Sequence, residues 1–111
     1  MFPRPDFFTG STLNFAKNLL YPQVSKGFSP ITDSDLAIIE ANELGTKNVT
    51  WGELRSEVRK CANGLRDLGL QPGDRVAGFL GNHSMTVVAM LAATSIGGVV
   101  SSTPLMALLF C

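Results

Sequence analysis

An α/β fold is what this 111-residue sequence predicts, and three patterns carry the expectation. Arg75–Leu80, Ser84–Ile96 and Val99–Ser102 read in turn as strand, apolar helix and strand. A helical crossover between two such strands makes them parallel, with a right-handed connection. Thr50–Leu68 carries the spacing of an amphipathic helix, and ahead of it two short apolar runs flank a glycine-containing turn, the mark of a hairpin. The predicted architecture is an N-terminal arm and helix, a β-hairpin, an amphipathic helix and one βαβ unit of an incomplete parallel sheet.

Taken in order, residues 1–12 are rich in Pro, Phe, Gly and Thr, an irregular arm whose Phe2, Phe7 and Phe8 need another surface to cover them. Ser11 or Thr12 can cap a short helix, because Leu13, Ala16 and Leu20 share one face, with Phe15 and Leu19 on an adjoining stripe. Tyr21-Pro22 ends it. The Pro-, Gly- and Ser-containing stretch that follows reads as a loop, dividing the chain into an arm and linker (1–35) and a body (36–111).

In the body, Leu36–Ala41 and Lys47–Thr50 are the hairpin strands, joined by Asn42-Glu43-Leu44-Gly45-Thr46. Thr50 and Glu53 satisfy the capping-box pattern, in which each side chain bonds an orphan backbone donor of the other. Leu54, Val58, Cys61, Leu65 and Leu68 then form one apolar stripe. Gly69 supplies a left-handed terminator, and Leu70 can fold back in the Schellman manner. Gln71-Pro72-Gly73-Asp74 is a turn in which Pro presets φ and Gly accepts a positive one. Arg75–Leu80 reads as a buried strand. Ser84 can cap the next helix, which is apolar on nearly every face and so expects burial on several sides. Gly97-Gly98 stops it.

Charge is balanced, nine Lys plus Arg against nine Asp plus Glu, so nothing favours a nucleic-acid backbone as partner. All of these residues lie between Arg4 and Arg75. The charge-free stretch beyond fits either the front piece of a larger fold or a membrane tail. A tail anchor needs about 20 predominantly apolar residues, and Thr94, Ser95, Gly97, Gly98, Ser101, Ser102, Thr103 and Pro104 interrupt this one. No apolar core of a secretory signal stands near Met1, which makes the cytoplasm the expected compartment. Cys61 and Cys111 show no metal or redox spacing. Asn48-Val49-Thr50 and Asn82-His83-Ser84 match the glycosylation sequon, which has no role without secretion.

Catalytic constellations are missing: there is no phosphate loop, no nucleophile elbow and no zinc motif. His83 follows a strand and could face a ligand crevice, yet a general base needs positioned partners. Ser101, Ser102 and Thr103 are hydroxyls without a base. Thr9-Gly10-Ser11-Thr12 imitates part of a phosphate loop, but no strand leads into it, and helix capping explains it better. No catalytic, cofactor-binding or metal-binding residue is therefore assigned.

Phe7-Phe8-Thr9-Gly10-Ser11-Thr12-Leu13-Asn14-Phe15-Ala16-Lys17-Asn18-Leu19-Leu20 resembles the N-terminal signature of acetoacetyl-CoA synthetases, within the adenylate-forming acyl-CoA synthetase superfamily. Thr50–Leu54, Gln71–Gly78, Val88–Gly97 and Ser101-Ser102 follow the same family in order and spacing. The resemblance implies a ligase of lipid metabolism that turns a carboxylic acid and ATP into an acyl-adenylate and passes the acyl group to CoA, with ATP, Mg and CoA as its cofactors. It also places the family's phosphate loop, acyl pocket, ribose-binding aspartate and adenylation lysine beyond this chain. From Thr103 to Cys111 the sequence departs from the family pattern, as expected of a truncated or alternatively spliced product or a mispredicted gene model. The expectation is thus a ligase segment inactive by itself. The alternatives are an interaction module, which self-associates or binds chaperones through uncovered apolar surface, and the tail-anchored protein.

Overall fold

The computed structural model describes residues 9–22 and 29–104, with side chains as far as Ser101. Helix α1 (Phe15–Leu20) is followed by strands β1 (Leu36–Asn42) and β2 (Gly45–Thr50), helix α2 (Trp51–Asp67), strand β3 (Arg75–Leu80), helix α3 (Ser84–Ile96) and strand β4 (Val99–Pro104). The α/β expectation holds: β1 and β2 pair antiparallel, β3 and β4 pair parallel. Phe2, Phe7, Phe8 and Cys111 lie outside the described residues, as do the side chains of Ser102 and Thr103.

The hairpin is tighter than the sequence suggests. Asn42 pairs with Gly45, leaving Glu43-Leu44 as a two-residue loop in place of the expected five. The Asn42 side chain accepts the Leu44 amide at 2.9 Å, and Gly45 takes a φ of 144° that a β-carbon would strain.

Helix α2 begins as predicted. The Thr50 hydroxyl accepts the Glu53 amide at 3.3 Å, and the Glu53 carboxylate accepts the Thr50 amide at 2.9 Å. Two further donors of the first turn are taken by the preceding loop, Trp51 N–H by Asp35 C=O and Gly52 N–H by Asp33 C=O, both at 2.9 Å. Gly52 keeps this contact loose, because a β-carbon there would sit 3.1 Å from the Asp33 carbonyl oxygen and push the loop back by a few tenths of an ångström. At the other end Leu70 N–H bonds Leu65 C=O and Gly69 N–H bonds Arg66 C=O, the two bonds of a Schellman motif, with Gly69 at φ 92°. Thr50→Ala is expected to cost about 1 kcal/mol, with Thr50→Ser close to neutral. Hydrogen exchange at the Glu53 and Leu54 amides checks it, and equal rates in wild type and Ala variant would refute the cap.

One core joins the elements: Ala16 and Leu20 of α1, Val49 of β2, Leu54, Val58 and Ala62 of α2, and Val88, Leu91 and Ala92 of α3. The buried stripe of α2 is therefore Leu54, Val58 and Ala62, with Cys61 and Leu65 partly covered. Leu68 was expected on this stripe but is 86% exposed. It stands at the C-cap, where the chain turns away from the helix axis. Small residues let α1 and α3 approach: Ala16 and Ala92 are fully buried, and the Asn14 side-chain amide donates to Ser95 C=O at 3.1 Å.

Three further expectations are corrected. The cap of α1 is Asn14, whose side chain accepts Lys17 N–H, not Ser11 or Thr12. That leaves Leu13 before the helix and exposed. Ser84 is the first residue of α3 and not its cap; His83 holds the cap position and makes no side-chain bond there. Strand β3 is not buried: Arg75, Ala77 and Phe79 face outward, Phe79 52% exposed, while Val76, Gly78 and Leu80 are partly covered. A two-stranded parallel sheet with one open face lacks the second layer that such sheets ordinarily carry.

Candidate functional site

The C-terminal ends of parallel strands are where α/β folds place ligands, and here they present Leu80, Gly81, Asn82 and His83. His83 lies exposed at the head of α3. The group that organises this corner comes from the hairpin: the Glu40 carboxylate accepts both the Ser84 amide, at 2.9 Å, and the Ser84 hydroxyl, at 2.7 Å. Ser84 is 5% exposed, the one buried polar residue among those described. The hydroxyl's bond, then the amide's, hold the Glu40 carboxyl below the ordinary carboxylate range; partial burial opposes this, and the nearby charges of Lys47 and His83 assist it. Glu40 thus supplies both the cap and the negative charge that the first turn of α3 lacks. Nothing local in the sequence announces it, since cap and helix are 44 residues apart.

A second organising side chain is Arg55 on α2. It donates through Nε to Leu20 C=O at 2.9 Å, pairs with Asp33, and lies over the rings of Tyr21 at 4.8 Å and Trp51 at 5.5 Å. This cluster ties the end of α1 and the loop before β1 to one helix face.

Between α1, α3 and the sheet lies a cavity of about 430 Å³, lined chiefly by Phe15, Val76, Leu80, Met90 and Val100, with Thr86 and Thr94 at its wall. Both threonine hydroxyls already donate to backbone, Thr86 to Gly81 C=O and Thr94 to Met90 C=O. The cavity can take apolar groups and offers neither an acid nor a base. No cationic side chain lines it, so its residues do not fit a triphosphate. Ser101 borders the cavity. Thr9–Thr12 forms an exposed turn and irregular run ahead of α1 and does not cap it. Among the described residues no three His, Cys, Asp or Glu side chains are placed to share a metal ion. No helix among them is long and apolar enough to cross a membrane.

Residues 33–105 match the family model of the AMP-binding enzymes. The chain belongs to this family. It is 47% identical over 100 residues to malonamoyl-CoA synthetase vrtB of Penicillium aethiopicum, covering 89% of this chain and 13% of that protein. To acetoacetyl-CoA synthetase of Xenopus tropicalis it is 43% identical over 102 residues, covering 89% of this chain and 14% of the relative. Among solved structures, acetoacetyl-CoA synthetase from Streptomyces lividans superposes with a TM-score of 0.69 at 40% identity, over 89% of this chain and 15% of that one. The chain therefore spans about one seventh of the length of the curated relatives it matches. It is a segment of the acyl-CoA synthetase fold, as the Phe7–Leu20 block and its companions imply.

Proposed function

We propose that this chain is the opening segment of the large domain of an ATP-dependent acid–CoA ligase, and that it contributes scaffold and not chemistry. Residues 1–35 form the lead-in and 36–111 the first part of that domain. The observation that carries the reading is the match, over nearly all of this chain, to synthetases named for acetoacetyl-CoA and malonamoyl-CoA. Both acyl groups are short and bear a second carbonyl two bonds beyond the first, so the acid of the parent ligase is assigned to that class, with acetoacetate first. ATP, Mg and CoA would be held by residues outside this segment. We place the parent ligase in the cytosol, where thiols such as that of Cys61 stay reduced.

By itself the purified chain is expected to release no pyrophosphate from acetoacetate, ATP and CoA, because positioning and charge stabilisation of phosphates need donors that its cavity does not offer. Acid-dependent release above the enzyme-free control would overturn the scaffold reading. Grafted in place of the corresponding segment of the Streptomyces lividans enzyme, the chain is expected to leave acetoacetate activation within about tenfold of the parent, roughly 1.4 kcal/mol in barrier. A folded but inactive graft would count against the family role.

A second reading, an interaction module, is favoured by the outward face of β3, where Phe79 stands exposed. Self-association or chaperone capture that Phe79→Ser abolishes would support this role, and a monodisperse monomer would remove it.

A further inference from the structure

We propose that Glu40 is a latch that fastens the β1–β2 hairpin to the head of α3, closed when its carboxylate is ionised and opened by its neutralisation. The inference rests on geometry that the family assignment does not use. The hairpin has two attachments of different kinds. Its base is continuous with α2 through Thr50 and is held by Val49 in the core, with Ala37 and Ile38 packed against it, and by the loop bonds to Trp51 and Gly52. Its middle reaches α3 through the two bonds from Ser84 to one Glu40 oxygen. A shallow cleft of about 280 Å³ lies beside that contact, lined by Ile38 and Glu40 on one side and His83 and Val87 on the other.

Helix α3 depends on this contact, because its own first turn has no acidic residue and its cap residue makes no side-chain bond. Ser84 depends on it as well, since its hydroxyl is buried and finds its acceptor in Glu40. The charged or titratable groups that face the carboxylate are Lys47, directly across the hairpin in register, and His83, beside Ser84 at the head of α3. Both favour the ionised, closed form.

A carboxyl held below its ordinary range in the folded chain lends stability above that range, and loses it as pH falls through the lowered value. The latch is therefore shut at neutral pH and opens in acid, while α2, which owes nothing to Glu40, stays formed.

The test is an NMR titration of the whole chain, following the Glu40 carboxyl carbon, the Ser84 amide and the α2 amides of Val58 and Ala62. Glu40 and Ser84 are expected to move together with one midpoint below the ordinary glutamate value, and the α2 amides to keep their protection through it. Glu40→Gln is expected to speed exchange of the Ser84 amide about fivefold, the effect of losing an ordinary cap. Glu43→Gln in the hairpin loop is expected to leave it unchanged. A Ser84 amide indifferent to the Glu40 titration, α2 amides that open at the same midpoint, or unchanged exchange in Glu40→Gln would each overturn the proposal. The wild-type titration needs no variant to fold.

Discussion

Leu91→Ala is expected to lower the unfolding free energy by about 2–4 kcal/mol. Leu91 is 2% exposed and sits in the cluster that α2 and α3 build with Val58, Ala62, Val88 and Ala92. Removing its branched end takes away the transfer energy of three carbons and leaves a hole that close-packed alanine neighbours cannot fill. In a chain of this size the whole stability is on the order of 5–15 kcal/mol, so the change is a large share of it. Urea unfolding should show the midpoint falling with little change in slope. Met85→Ala, on the same helix but half-exposed, is the control and should stay within about 0.5 kcal/mol of wild type. Equal losses at the two positions would mean that α3 does not pack through Leu91.

What the sequence made legible was local. The capping box at Thr50, the Schellman turn at Gly69-Leu70 and the Gln71–Asp74 turn each depend on side chains within a few residues of the backbone groups they satisfy. Spacing alone therefore reveals them. The strand–helix–strand pattern gave the parallel pair for a similar reason, because short strands joined through one helix have few other ways to meet. Acyl-CoA synthetase signatures in five separated blocks pointed to the family.

What stayed hidden was tertiary. Ser84 has the chemistry of a cap, and only the approach of β1 shows that Glu40 takes the role and leaves Ser84 to donate. At α1, Ser11, Thr12 and Asn14 are all suitable caps, and Asn14 holds the position with a side chain bonded both to Lys17 N–H and to Ser95 C=O of α3. Leu68 fits the apolar stripe by period but stands where the helix has already ended. The apolar run of β3 reads as buried because its composition suits a sheet covered on both faces, and within this segment only one face has a partner. The candidate site was the least legible part. His83 was visible as a lone histidine, whereas Glu40 and Arg55, which hold that corner and the α1 junction together, resemble any other surface charge in sequence.

Arg55 is where the magnitudes can be separated. Its side chain is 15% exposed while that of its ion-pair partner Asp33 is 76% exposed, so solvent screens much of their attraction, and such pairs are worth about 0–1 kcal/mol. The bond from Nε to Leu20 C=O and the guanidinium's position over Tyr21 and Trp51 are better shielded. A charged donor bond contributes about 1.5–3 kcal/mol, and each cation–π contact about 0.5–1 kcal/mol. Asp33→Asn is therefore expected to cost less than about 1 kcal/mol, and Arg55→Ala about 2–3 kcal/mol. Arg55→Lys should fall nearer Ala than wild type, because an ammonium keeps the charge but, without a planar guanidinium, cannot lie over the two rings and bond Leu20 C=O at once. Trp51 is the only tryptophan, so its fluorescence reports this junction directly. The expected result is a shifted emission in Arg55→Lys and Arg55→Ala but not in Asp33→Asn, with 1 M salt leaving the wild-type spectrum unchanged. If salt or Asp33→Asn reproduced the Arg55→Ala spectrum, the ion pair, and not the stacked guanidinium, would be what holds α1 to α2.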